Sequence, residues 1–313
     1  MLTLQEDILA TLSYFDLFRY PLTSKEILLY APRAYAIDEI EDGLYELCAT
    51  QRIFRLQEYY SLHNNPALTT RRDEGYNRAI QLLQKAYKAA KLINLFPFVR
   101  GIAISGSLSK YYAEVDSDID FFIITAKDRL WLARTFTHLL KKISYLFRKE
   151  HFFCMNYYID EASLQIPEQN IFTAIEIATL IPLKGSAAFQ SFARQNNWIK
   201  NYLPNNHMRL TPANSGDSTV IKRIAEYMLN NKAGDSLDNL LMRITSRRWE
   251  QKTKQQQLNT HGTIMQMAAG KHFSKPDPTI FQEKIVGSYN RKVMEIKHAL
   301  NINGSINKTG VLK

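Results

Sequence analysis

This chain of 313 residues has little of several features that mark particular protein classes. Its two cysteines, Cys48 and Cys154, are too few for a disulfide scaffold or a zinc cluster, which predicts reduced thiols in a cytoplasmic protein. Met1 to Ala10 lacks a basic stretch, so no signal peptide is expected. No apolar run approaches the roughly 20 residues of a membrane helix, and no membrane partner is predicted. The sequence also has no internal repeat and no low-complexity tract.

Charge is abundant but unevenly distributed. The formal net charge is +10, and charged residues make up 22% of the chain against 45% hydrophobic ones, a balance that favours packed cores over disorder. Residues 1–65 hold 5 Lys/Arg and 10 Asp/Glu, whereas residues 186–313 hold 19 and 8. The basic surplus is therefore C-terminal, where it could hold a phosphate-rich molecule.

Residues 1–65 have the pattern of a winged-helix-like domain. Apolar spacing predicts helices over 4–18 and 37–50, with a helix between them that is capped by Thr23 or Ser24 and runs through 26–29, followed by two short strands around Gln57 and Glu58. The third helix, which would enter the DNA major groove, is acidic: it carries Asp38, Glu39, Glu41, Asp42 and Glu46. Phosphates would repel it, so a structural or protein-docking role is favoured over DNA binding.

The remaining chain predicts an α+β protein. A connecting helix covers 66–98, and a core with a small mixed β-sheet flanked by helices covers 99–185. A basic, mainly helical C-terminal domain covers 186–313. The expected strands are 99–105, 119–125 and 152–159, and the expected helices are 129–147, 171–180, 186–195, 218–232, 235–269 with a break, and 278–300.

The stretch from Gly101 to Thr125 combines residues suited to binding a nucleoside triphosphate. Gly106-Ser107 follows an apolar strand, and a glycine at the start of a helix allows phosphate to approach backbone N–H groups. Asp118 and Asp120 come eleven residues later, spaced so that both point to one face of a strand. Two adjacent carboxylates repel each other unless a cation lies between them, and Mg²⁺ prefers carboxylates together with phosphates.

This stretch resembles the signature of the DNA polymerase beta-like nucleotidyltransferase superfamily, in which Gly-Ser is followed after about ten residues by Asp-x-Asp. The resemblance covers about 25 residues. It implies that Gly106, Ser107 and the basic Lys110 bind the nucleotide and that Asp118 and Asp120 are catalytic and hold Mg²⁺ or Mn²⁺.

One position departs from the family pattern. The superfamily usually supplies a third carboxylate from a later strand, and Asn156 occupies the central position of the strand expected here. Asp160 at the end of that strand could replace it as a catalytic residue, or Glu176 could reach in from the next helix. If neither does, activity would be weak or absent.

The sequence therefore predicts a Mg²⁺-dependent nucleotidyltransferase that transfers a nucleoside monophosphate from an NTP, such as ATP, to an acceptor and releases pyrophosphate. The preferred NTP, the acceptor and the oligomeric state stay open. A second hypothesis is an inactive nucleotide-binding scaffold that docks a partner through the winged-helix-like segment. A third is a regulator that binds nucleic acid.

Overall fold

The structure is a computed structural model that describes residues 3–145, 154–210, 219–257, 267–276 and 279–309. It combines helices with two β-sheets and confirms the α+β class. The helices are α1 (Leu4–Asp16), α2 (Ser24–Tyr30), α3 (Ile37–Ala49), α4 (Ala67–Ile93), α5 (Leu130–Tyr145), α6 (Ile171–Thr179), α7 (Ser186–Gln195), α8 (Val220–Leu229), α9 (Lys232–Lys254) and α10 (Thr279–Thr309). The strands are β1 (Leu22–Thr23), β2 (Phe54–Leu56), β3 (Tyr59–Ser61), β4 (Val99–Ile104), β5 (Asp120–Thr125), β6 (Cys154–Asp160), β7 (Ile181–Lys184), β8 (Met267–Ala269) and β9 (Phe273–Pro276).

The N-terminal segment contains the three expected helices and the hairpin. Capping boxes formed by Thr3 with Glu6 and by Thr23 with Glu26 begin α1 and α2, which satisfies backbone N–H groups at both helix starts. Strands β2 and β3 pair antiparallel, and β1 joins β3 to make a three-stranded sheet.

The main sheet has six strands in the order β7-β4-β5-β6-β9-β8. Strand β4 pairs antiparallel with both β5 and β7, whereas β5 and β6 are parallel and are connected through α5. This mixed sheet contains the strands predicted for 99–105 and 119–125, and β6 covers the described part of the third, since residues 152 and 153 lie outside the described ranges.

Both faces of the main sheet are buried. Phe121 and Ile123 point to the face covered by α4 and α5, and Phe122 and Ile124 point to the face covered by α6 and α7. All four are almost fully buried, which accounts for the continuous apolar sequence of β5. Strand β5 therefore lies between two layers of helices, and the candidate residues at its start adjoin this core.

The C-terminal segment differs most from the sequence prediction. The helix expected over 235–269 ends at Lys254, and its last residues instead form β8, which pairs with β9. Strand β9 in turn pairs with β6, so the region predicted to be mainly helical contributes two strands to the main sheet. The short strand β7 was also not predicted. Helix α10 packs on α1, where Tyr289 contacts Tyr14 with ring centroids 5.9 Å apart.

The two longest helices, α4 and α10, contain 27 and 31 residues. Helix α4 begins directly after Pro66, whose fixed φ suits a helix start, and it ends at Ile93, before Pro97, which could not continue it. Among the described helices, none combines enough length with enough apolar character to cross a membrane.

Candidate active site

The loop that follows β4 passes directly over β5 at Gly106. This glycine has φ +67°, a conformation that side chains disfavour, and a Cβ there would lie 2.7 Å from Oδ2 of Asp120. The backbone N–H of Ser105 donates to the carbonyl of Asp120 at 2.9 Å, which fixes the loop to the strand. Gly106 is therefore needed both for the turn and for the close approach to the carboxylate.

Asp118 and Asp120 lie together at the start of β5. Ile119 between them is completely buried, whereas both acids are partly exposed, as the alternation of an extended chain requires. Burial, followed by the charge of Asp118, raises the pKa of Asp120 to about 7. Glu176 also raises this pKa and the charge of Lys141 lowers it, so the remaining excess of negative charge is one that a divalent metal would relieve.

Ser107 and Lys110 lie on the same loop as Gly106. Ser107 is exposed and begins one 3-10 turn, Leu108–Lys110, rather than the longer helix start implied by its sequence. The Lys110 ammonium donates to Glu176 Oε1 at 2.7 Å and to the Gly106 carbonyl at 3.2 Å. The structure thus places Gly106 against Asp120, with Ser107 and Lys110 on the same loop.

Like the thiol of Cys154, the side chain of Asn156 reaches Asp120 from β6. Its amide nitrogen donates a hydrogen bond to Asp120 Oδ1. The register between β5 and β6 shifts after Phe121, which leaves Asn156 without a direct partner on β5. An amide therefore occupies the place where the superfamily pattern would put a third carboxylate.

Asp160 does not join this group. It pairs with Thr125 at the far end of β5, five residues along the strand from Asp120. Its buried carboxylate accepts hydrogen bonds from the backbone N–H groups of Asp128 and Ala162, both at 3.0 Å, and lies 2.9 Å from His272 Nδ1. The expectation that Asp160 completes the catalytic set is wrong, because the strand direction carries it to the opposite edge of the sheet.

Asp160 does form a different acidic cluster. Ligand atoms of Asp128, Asp160 and His272 lie within 4.8 Å of one another, a spacing that could hold a metal ion. The ammonium of Lys271, 2.7 Å from Asp128, already supplies a positive charge there. We therefore assign this cluster to fixing the β8–β9 hairpin against β6.

Glu176 is the additional acid that the fold places near the aspartate pair. It projects from α6, forms the ion pair with Lys110, and its charge contributes to the raised pKa of Asp120. Thr179, on the same helix, contacts Ser109 of the loop at 3.2 Å. Of the two replacements open from the sequence, Glu176 is the one on the correct side of the sheet.

Two residues that support the loop were missed in the sequence. Arg209 donates to the carbonyls of Ser109 and Thr179 at 3.0 and 3.1 Å, and the Tyr20 hydroxyl donates to the Lys110 carbonyl at 2.6 Å. Tyr20 is 90 residues from Lys110 along the chain, and Arg209 is 100 residues from Ser109 and 30 from Thr179. No local sequence signal marks such long-range contacts.

A cavity of about 470 Å³ lies at the other edge of the sheet. It is lined by residues from the start of β4 and the end of β5, such as Phe98, Arg100 and Lys127. Neither Asp118 nor Asp120 lines it, so this cavity is separate from the candidate site.

Comparison with known proteins found no similarity: no family model, no curated protein and no solved structure matches this chain.

Proposed function

We propose that this protein is a Mg²⁺-dependent nucleotidyltransferase that transfers a nucleoside monophosphate from an NTP to an acceptor and releases pyrophosphate. The observation that carries the proposal is the contact between Gly106 and Asp120. A glycine loop and two carboxylates meet at one sheet edge, in a geometry that a Cβ at position 106 would block. The short resemblance between residues 101–125 and the polymerase beta-like superfamily also supports the proposal.

The residues present fit a divalent cation. Asp118 and Asp120 offer carboxylate oxygens, and the pKa of about 7 at Asp120 reflects first its burial and then the negative charge of Asp118, which a cation would offset. Glu176 is the candidate for the third acid. When bound, Mg²⁺ would neutralise the triphosphate and make the acceptor oxygen more nucleophilic.

The chain's own groups supply the remaining functions. In this proposal the Gly106-Ser107 backbone and the Ser107 hydroxyl, just before the 3-10 turn, donate hydrogen bonds to phosphate oxygens. The Lys110 ammonium is positioned beside them and can exchange Glu176 for a phosphate.

A second candidate function is a nucleotide-binding scaffold without turnover, and the bond from Asn156 to Asp120 favours it. An amide carries no charge and cannot replace a carboxylate as a base. In this interpretation residues 1–65 form a winged-helix-like unit, and that unit docks a protein. Its α3 exposes Asp38, Glu41 and Asp42, which opposes contact with nucleic acid.

The test is calorimetric titration of the four NTPs with Mg²⁺ into the wild type and the Asp118→Ala/Asp120→Ala variant, together with an assay for pyrophosphate release. Asp116→Ala, which removes an exposed acid from the same loop, is the matched control. Binding that needs both Asp118 and Asp120 but not Asp116 supports the site. Binding without pyrophosphate release from any acceptor would favour the scaffold, and equal binding to all three proteins would refute both.

A further inference from the structure

The cavity of about 470 Å³ lies beyond the carboxyl ends of β5 and β6, which are parallel. These strands end at Thr125 and Asp160, and the residues that follow them, Ala126, Lys127 and Glu161, line the cavity. In α/β sheets, ligands bind in the crevice outside the carboxyl ends of the strands, and small-molecule pockets have volumes of about 300 to about 1,000 Å³. The cavity therefore has the position and the size of a ligand site.

Ion pairs hold two walls of the cavity in place. Glu226 of α8 binds the Arg100 guanidinium through both carboxylate oxygens, at 2.7 and 2.9 Å, and accepts the Phe98 N–H at 2.7 Å. Arg129 is almost fully buried and donates to Asp235 Oδ1 at 2.6 Å. These contacts fix the lining before any ligand binds, and they offset the charges of Arg100, Arg129 and Glu226.

The two other charged residues of the lining have opposite signs. Lys127 and Glu161 are both exposed, and neither forms an ion pair within the part of the chain that the structure describes. Thr125 and Asp160 are partners in the register between β5 and β6, and neighbouring strands lie about 4.8 Å apart. Lys127 and Glu161 therefore leave the sheet side by side, so a ligand meets a cation and a carboxylate close together.

Aromatic rings form part of the remaining lining. Phe98 has φ +66°, a conformation that bulky side chains rarely adopt, and such strain is concentrated at ligand and active sites. Tyr227 of α8 is 86% exposed, which leaves most of its ring available for contact. An apolar or aromatic group of a ligand can pack against these rings.

We propose that this cavity binds a free α-amino acid with an apolar or aromatic side chain. The carboxylate of the ligand pairs with Lys127, its ammonium pairs with Glu161, and its side chain contacts Tyr227. An α-amino acid carries both charged groups on one carbon atom, which matches the short distance between the two strand ends. Complementary charges of this kind determine which ligand is selected.

A phosphate ester fits the cavity less well. Its two negative charges would face the carboxylate of Glu161, while the guanidinium groups of Arg100 and Arg129 are already paired with acids. Neither Asp118 nor Asp120 lines the cavity, so the inference does not depend on the proposed function.

Ligand-observed NMR titration of the full chain tests this proposal with L-phenylalanine, phenylacetate, 2-phenylethylamine and phenyl phosphate. Phenylacetate lacks the ammonium and 2-phenylethylamine lacks the carboxylate, so each removes one of the two proposed charge pairs. We expect L-phenylalanine to bind about tenfold more tightly than either, the scale of a hydrogen bond between charged groups.

Two variants assign the charges separately. Lys127→Ala should weaken L-phenylalanine and phenylacetate about tenfold and leave 2-phenylethylamine unchanged, whereas Glu161→Gln should weaken L-phenylalanine and 2-phenylethylamine and leave phenylacetate unchanged. Lys88→Ala and Glu41→Gln, which alter exposed residues of α4 and α3, are the matched controls. Circular dichroism checks that all four variants are folded.

Four outcomes would overturn the proposal: no binding of L-phenylalanine up to about 10 mM, equal binding of the first three ligands, tighter binding of phenyl phosphate, or binding that neither Lys127→Ala nor Glu161→Gln weakens. The Asp118→Ala/Asp120→Ala variant should bind L-phenylalanine like the wild type. A failure of the nucleotidyltransferase proposal is therefore distinguishable from a failure here.

Discussion

The amide of Asn156 donates a hydrogen bond to the carboxylate of Asp120, where the nucleotidyltransferase pattern would place a third acid. The bond holds Asp120 at the sheet edge beside Asp118 without adding negative charge. It also makes position 156 the place where one substitution can distinguish an active metal site from a scaffold.

Asn156→Asp is expected to tighten Mg²⁺ binding about tenfold, the scale on which neighbouring groups alter metal affinity. The new carboxylate adds a ligand, but without metal it also adds repulsion beside Asp120. The melting temperature of the Asn156→Asp variant should therefore fall in EDTA and recover with Mg²⁺. Asn156→Ala, which removes the hydrogen bond without adding charge, is the control. If Asn156→Asp binds Mg²⁺ no better than Asn156→Ala does, the cation does not lie beside this residue.

Gly106→Ala should destabilise the protein by about 1–3 kcal/mol, the usual cost of a strained backbone. The added Cβ meets Asp120 Oδ2, and φ +67° disfavours alanine independently of that contact. Urea unfolding measures the change. Gly287→Ala is the matched control, because a Cβ there has nothing within 4 Å and lies within α10. That variant should be neutral or gain up to about 1 kcal/mol, so equal losses at both positions would contradict the assigned role of Gly106.

The local part of the site was predictable and the long-range part was not. Gly106, Asp118 and Asp120 lie within 15 residues, where strand alternation alone determines which side chains share a face. The choice between Asp160 and Glu176 depended on the direction of β6 and on where α6 returns to the loop. Neither is encoded in residue spacing.

The same limit applies to the fold. Long helices such as α4 repeat their apolar spacing over many turns, and α4 was predicted to within one residue at its start and five residues at its end. Strands β7, β8 and β9 have only three or four residues each, too few for alternation to be recognised. Their pairing with β4 and β6 decides their conformation, so they were assigned to loops or helices.

Glu176→Gln and Asp160→Asn should have opposite effects. Glu176→Gln removes an acid near Asp120 and the partner of Lys110, and we expect Mg²⁺-dependent NTP binding to weaken about tenfold with little loss of stability. Asp160→Asn alters a buried carboxylate that accepts backbone hydrogen bonds, and we expect a loss of about 1–3 kcal/mol in unfolding free energy with NTP binding retained. Titration calorimetry and urea unfolding of both variants measure the contrast. The reverse pattern would restore Asp160 as the third acid.

His138 should make the protein sensitive to acid. Burial, followed by Arg134, Lys141 and Lys142, lowers the pKa of this histidine to about 3 in the folded protein, against 6.5 for the free side chain. Between pH 6.5 and 3 the unfolded chain therefore binds a proton that the folded protein does not. Stability is fully present above that window and falls with pH inside it, by up to about 1.4 kcal/mol per unit.

His138→Phe should reduce this slope, because phenylalanine carries no titrating group and also removes a buried Nε2 without a hydrogen-bond partner in the described structure. Urea unfolding at pH 7, 6, 5 and 4 measures the slope, and exposed His207→Phe provides the control. We expect the His138→Phe variant to gain stability relative to the wild type as the pH falls. Only the wild type has an imidazole that binds a proton in the unfolded chain and stays neutral in the folded protein. An unchanged slope would place the acid sensitivity in other groups.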